Sequence, residues 1–236
     1  MKRLRIRAGA GGVAPRAARV VVAALTLLTA AAAAGALAVP AAAAETPPRP
    51  KIVKKYIAFG QSRKEQAADY SEKRYHQHTW VLEPRAIVLH HTAGSTWESA
   101  WYTFNGNAAY LGEKPGVSAH FIIDKDGTIY QCMPLSIRGR HCVGMNWVSI
   151  GIEFVQEMQS GKDGHWMDRQ ILARTKQAEA GLKLVRYLRV RFHIKKTDIY
   201  GHATANGSHF FKDYTGQKNA AGDWFNAEVR AFRRRL

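Results

Sequence analysis

The chain has 236 residues, with 35 basic side chains against 18 acidic ones and a formal net charge of +17. Such a charge favours an anionic partner, and no basic–aromatic recognition motif accompanies it, so nucleic acid is not the expected one. A 46% hydrophobic content and two cysteines suit a chain that folds around a core rather than one stapled by many disulfides.

The first 44 residues read as an export signal. Lys2, Arg3, Arg5, Arg7, Arg16 and Arg19 form a basic start, Val20–Val39 is uncharged and Ala-rich, and Ala42-Ala43-Ala44 supplies a small-residue cleavage site before Glu45. The apolar stretch is about long enough to span a bilayer, but the Ala-x-Ala ending favours a cleaved signal over an anchor. No later segment is apolar enough to span a membrane, so the expectation is a secreted chain, monomeric and without a stable membrane span. Removing the leader lowers the net charge from +17 to +11. A basic secreted protein of that kind suits an anionic cell-wall surface. Cys132 and Cys142 make an even count outside the cytoplasm, which favours one short-loop disulfide over two free buried thiols.

Thr46-Pro47-Pro48-Arg49-Pro50 is a stiff linker. Lys51–Pro84 is polar with little periodicity, either a flexible arm or a lead-in packed on the domain; residues 45–84 are therefore set apart as linker and N-terminal arm. Arg85–His91 reads as a buried strand. Ser95 as N-cap, with Glu98 completing a capping box, predicts a helix over Ser95–Phe104. Val117–Ile123 and Thr128–Cys132 read as strands joined at Asp124-Lys125-Asp126-Gly127, a hairpin turn signal. Val148–Val155 is a further buried strand. Ala178, Leu182, Val185, Leu188 and Phe192 give one apolar face to a single long helix over Asp168–Ile194. Thr197–Gly201 is the last strand, Ala203–Ser208 a loop, and Asp223–Leu236 a closing helix with Asp223 at its start. Strands interleaved with helices predict an α/β fold, with residues 85–236 forming a single domain around a central mixed β-sheet flanked by helices.

Three separate stretches carry the chemistry: Ile87–Gly94 with His90-His91, Ser149–Glu153 with one carboxylate, and Ile199–His202. Strand ends in an α/β sheet present catalytic groups, so two histidines and a glutamate there can converge on one ion. Neutral imidazoles as ligands and a carboxylate to handle protons suit zinc hydrolysis.

Ile87–Gly94, Val117–Gly127, Asn146–Glu153 and Gly201-His202 resemble the successive motifs of type-2 N-acetylmuramoyl-L-alanine amidases, a family that includes the amidase-type phage lysozymes and the peptidoglycan-recognition proteins. The resemblance runs from about Ala86 to the C-terminus and implies the amidase-type phage lysozyme-like fold. It further implies a zinc ion (Zn2+) held by two His and one Cys or Asp, and cleavage of the amide between the lactyl group of N-acetylmuramic acid and L-alanine in peptidoglycan. By that resemblance His90 and His202 are metal ligands and Glu153 is the catalytic residue that takes and returns a proton. His120 and Asn146, in the second and third motifs, are the substrate-binding candidates. The last motif is looser. The chain has neither a Cys nor an Asp-Pro-Gly there, so the third ligand is Asp223 or Asp213, with Asp223 favoured by its Asp-Trp setting. Ala119 stands where phage lysozymes carry a tyrosine, and Ala221 where the family carries Lys or His; Lys218 and His209 are candidates to reach in instead.

Plainer readings apply to other residues. Alternation turns His91 to the opposite face of its strand. His120 either touches substrate or fills the groove floor, and His141 is a candidate groove-lining residue. His76, His78, His165 and His193 have no partner pattern. Trp97, Trp101 and Tyr102 favour packing over stacking on sugars. Two functions of different class follow: a secreted zinc amidase of peptidoglycan, which the intact His90, His202 and Glu153 favour, or a non-catalytic peptidoglycan-binding module of the same fold, which the altered third-ligand loop favours. A zinc peptidase or other amidohydrolase would keep the metal and change the bond.

Overall fold

The computed structural model describes residues 47–236; the expected export signal lies outside them. The sheet strands are β1 (Val53–Lys54), β2 (Ala86–Ala93), β3 (Phe121–Ile123), β4 (Ile129–Gln131), β5 (Ser149–Glu157) and β6 (Ile199–Gly201). The helices are α1 (Gln61–Tyr75), α2 (Trp97–Gly106), α3 (Gly164–Ala173), α4 (Thr175–Phe192) and α5 (Asn226–Arg234). The strands form one mixed sheet in the order β1-β4-β3-β5-β2-β6, antiparallel only between β3 and β4. Parallel strands need covered faces, and the two longest, the adjacent inner strands β2 and β5, begin with buried runs.

Alternation along β2 and β5 sorts their side chains between two layers. Ile87, Leu89, Ile150, Ile152 and Phe154 join Leu182, Val185 and Leu188 of α4 and Val229 and Phe232 of α5 in the larger core. Full burial of one such side chain contributes about 1.5–3 kcal/mol, which outweighs the weak helix propensity of the β-branched positions. On the opposite face Ala86 and Val88 pack with Cys142, Met145 and Val148. The polar members of the same alternation, His90 and Glu153, therefore emerge at the open end of this second face. Gly181 explains how α4 comes so close to the sheet: a Cβ there would sit 2.6 Å from the Phe154 ring.

Several expected elements differ in detail. Residues 51–84 are the packed lead-in of the two readings: β1 pairs with β4, and Ala67, Tyr70 and Tyr75 of α1 are buried, so the compact unit extends well before residue 85. The Asp168–Ile194 helix is two helices broken at Arg174, whose ψ of 96° leaves the helical region without a Gly or Pro to announce it. Thr96 rather than Ser95 caps α2, accepting the Ser99 N–H at 3.3 Å. The loop after β6 is a 3-10 helix over His202–Gly207. Asp223 lies ahead of α5, whose N-cap is Phe225. The two cysteines are free and buried. Cys132 packs with Ala119, Ile122 and Phe104, whereas Cys142 packs with Ala86 and Met145, so separate clusters claim the two thiols and the expected disulfide is absent. No helix among the described residues is long and apolar enough to cross a membrane.

Candidate metal centre and groove

Each group of the site is carried by a different element. His90 stands near the end of β2, Glu153 is its register partner on β5, and His202 follows directly on β6. Asp223 comes from the segment before α5, and four contacts hold that segment in place. Ala203 N–H donates to the Asp223 carbonyl at 2.8 Å, and Trp224 Nε1 donates to the His90 carbonyl at 3.1 Å. Phe225 N–H donates to the buried Asp168 carboxylate at 3.2 Å. His91 N–H donates to Asp223 Oδ2 at 3.3 Å. A backbone amide of β2, rather than the N-terminus of α5, therefore holds the Asp223 carboxylate. Gly201 is required here: a Cβ would lie 1.7 Å from the Trp224 carbonyl oxygen, so only glycine lets β6 run against the Asp223 segment.

The geometry converges. His90 Nδ1 and His202 Nδ1 are 3.1 Å apart, His202 Nδ1 is 3.1 Å from Asp223 Oδ1, and His90 Nδ1 is 3.6 Å from Asp223 Oδ2. Four-coordinate zinc with ligands at about 2.0–2.1 Å has tetrahedral edges of about 3.3 Å. The two nitrogens and the two Asp223 oxygens stand at about such spacings, and the donor set of two imidazoles and a carboxylate suits zinc; all three residues form one potential metal-holding group. Asp213 is elsewhere, bound at 2.8 Å to Arg74 Nη1 and accepting the Thr215 N–H at 2.8 Å.

Charge states follow from burial and neighbours. Burial, reinforced by His202, lowers His90 to about 4, so it is neutral at pH 7. Burial alone would raise the Asp223 carboxyl, but the two imidazoles beside it, His202 first and then His90, hold it well below the usual carboxylate range. Glu153 goes the other way: burial first, then the Asp223 charge, pushes it up to about 8. Its Oε2 is buried with no hydrogen-bond partner, a free oxygen beside the cluster. These groups open into a groove of about 810 Å³ with an apolar arm at Phe104, Leu111, Val117 and Met158.

Of the two substrate-binding expectations, the structure corrects the one on His120. His120 is fully buried, its Nδ1 accepting Gly151 N–H at 3.0 Å and its Nε2 donating to the Ile137 carbonyl at 2.9 Å, so no ring atom is left for a substrate. Asn146 is 1% exposed and lies at the groove wall, and its Oδ1 accepts the N–H groups of His141 and Cys142 at 2.9 and 2.8 Å, fixing that loop. Trp97 stacks on Tyr130 and Trp101 donates to the Lys55 carbonyl, both away from the groove. His209 bonds to Tyr200, outside the groove, whereas Lys218 lines it. Two contacts to the histidines were not foreseen: His141 Nδ1 lies 3.0 Å from His90 Nε2, and Asn219 Oδ1 lies 3.2 Å from His202 Nε2. Nothing local in the sequence marks Asn219, because its target is reached only when two loops meet.

The profile of the N-acetylmuramoyl-L-alanine amidase family matches residues 80–221, and the chain belongs to that family of peptidoglycan amidases. The matched stretch holds His90, Glu153 and His202 and stops short of Asp223, whose place comes from geometry. The structure is similar to the endolysin N-acetylmuramoyl-L-alanine amidase LysCS from Clostridium intestinale, at 21% identity and a TM-score of 0.49, covering 78% of this chain and 96% of that one. A mutant endolysin from Bacillus subtilis is similar at 24% identity and a TM-score of 0.41, covering 67% and 87%. The Apis mellifera protein PGRP-SA is similar at 20% identity and a TM-score of 0.38, covering 52% and 72%. No curated relative matches the chain.

Proposed function

We propose that the chain is a secreted, zinc-dependent N-acetylmuramoyl-L-alanine amidase that cleaves the lactyl–L-alanine amide of peptidoglycan. The observation that carries this reading is the spacing of the His90, His202 and Asp223 donor atoms beside the unpartnered Glu153 oxygen. His90, His202 and Asp223 would hold the metal, which supplies a Lewis acid for the scissile carbonyl and for water. Glu153 accepts a proton from the attacking water and returns it to the alanine amine as it leaves. An amide nitrogen leaves poorly without that proton, so one residue serves as base and then acid. A carboxyl raised towards neutrality is suited to both halves, because it gives up a proton about as readily as it takes one. The apolar arm of the groove keeps bulk water from the bond and offers the glycopeptide a surface to lie on.

The test is product analysis. The chain from Glu45 onward, incubated with purified peptidoglycan and zinc, should release new alanine amino termini and no new reducing sugar ends. New reducing ends, or free amino termini of other residues, would identify a different bond. Binding of peptidoglycan with no cleavage would favour the recognition-module reading, for which the altered third-ligand loop is the sequence feature.

A further inference from the structure

Two hydrogen-bonded chains run outward from the histidine pair, and each ends on a group that can only accept. His141 Nε2 is 3.3 Å from the Ser149 backbone carbonyl. A carbonyl cannot donate, so the proton of neutral His141 sits on Nε2 and its Nδ1 carries a lone pair. That lone pair faces His90 Nε2 at 3.0 Å, which places the His90 proton on Nε2 and leaves Nδ1 bare. The second chain has the same sense. Asn219 Nδ2 donates to the Val143 carbonyl at 2.9 Å, and Asn219 Oδ1 accepts Val143 N–H at 2.9 Å, which orients the amide without ambiguity. The oxygen therefore faces His202 Nε2, so that this nitrogen carries the proton and His202 Nδ1 is bare as well. The two bare nitrogens are the pair that meet at 3.1 Å beside Asp223.

We infer that His141 and Asn219 are positioning residues that lock His90 and His202 as Nε2–H tautomers, so that both Nδ1 lone pairs are presented to a cation at the cluster. The inference builds on the metal reading of the preceding section. Its physical content is preorganisation: with each Nε2 engaged by its acceptor, both Nδ1 atoms stay turned toward the Asp223 carboxylate, and contacts outside the cluster hold that alignment. The supporting shell is itself anchored. Asn146 Oδ1 fixes the backbone of His141 and Cys142. Gly151 lies against the His141 ring, where a Cβ would come within 2.7 Å of it, so the sheet leaves the imidazole one place to stand.

The experiment has a readout that needs no metal. Long-range ¹H–¹⁵N spectra of the metal-free protein at neutral pH should show His90 and His202 protonated at Nε2, with unprotonated Nδ1. His141→Phe, which keeps the ring shape and removes the acceptor, should release His90 into a tautomer mixture and weaken zinc binding about ten- to a hundredfold. His141→Asn, whose Oδ1 stands near the place of the imidazole Nδ1, should restore the Nε2–H tautomer and most of the affinity. Asn219→Asp keeps the acceptor and should leave the His202 tautomer unchanged. A wild-type spectrum with His90 protonated at Nδ1 overturns the inference even if His141→Phe does not fold. So does a His141→Phe variant with the wild-type tautomer and wild-type zinc affinity. Failure of the wild-type protein to bind zinc would instead sink the metal reading, and the tautomer spectra would still decide the lock.

Discussion

Glu153→Gln should make the metal-free protein more stable while removing its activity. The Glu153 carboxyl is pushed up from 4.5 to about 8, burial contributing most and the Asp223 charge adding to it. Between those two pH values the folded protein keeps a proton that the unfolded chain has lost, so stability falls as pH rises through the window. Below 4.5 both states are protonated and the penalty vanishes. At 1.36 kcal/mol per pH unit the full loss is at most about 5 kcal/mol. Glu153 is only partly buried and faces the groove, so solvent screening reduces the working figure to about 2–3 kcal/mol. Glutamine carries none of this cost. Urea titrations of the two metal-free proteins should therefore agree near pH 4.5 and differ by about 2–3 kcal/mol, in favour of the variant, near pH 8.5. The same substitution should keep zinc and lower peptidoglycan hydrolysis by about a hundred- to ten-thousandfold, since the amide cannot take a proton from water. A stability gap that is the same at both pH values would refute the raised carboxyl. Near-wild-type hydrolysis would assign the proton work to another group.

Asp223→Ala should abolish zinc retention by metal analysis, whereas Asp213→Ala should keep zinc and lose about 1–3 kcal/mol of stability, because it removes one of the two carboxylates on the buried Arg74 guanidinium. Zinc retained by Asp223→Ala and lost by Asp213→Ala would invert the assignment. Gly201→Ala should displace the Asp223 segment, with a cost of about 3 kcal/mol in chemical unfolding and loss of zinc. Gly207→Ala, where a Cβ meets nothing within 4 Å, is the control that should leave zinc in place. Equal behaviour of these two variants would show that the close approach of Gly201 to Trp224 is not what places the aspartate.

The sequence by itself determined the α/β class, the central buried strands and the candidate residues His90, Glu153 and His202. Those features are local: an apolar run marks a strand, its period sets which side chains share a face, and a polar residue ending such a run is conspicuous. The hairpin at Asp124–Gly127 was equally legible, because Gly127, at a φ of 91°, is the residue such a turn demands. The packed character of residues 51–84 was not, since β1 is two residues long and takes its stability from pairing with β4 rather than from any pattern of its own. Nor was the break at Arg174, where α3 ends with no Gly or Pro to mark it. The Asp-Trp setting favoured Asp223 over Asp213, and the tertiary structure shows where each carboxylate goes. Both are aspartates in aromatic settings near the C-terminus, and the difference is that Arg74 of α1 claims one while the backbone of β2 and the carboxylate of Asp168 hold the segment of the other. The same holds for His120, which looks like a groove residue in a linear motif and is spent on internal hydrogen bonds in the fold. Whether a polar side chain faces a substrate or the interior depends on which distant groups satisfy it, and a single chain read end to end does not contain that pairing.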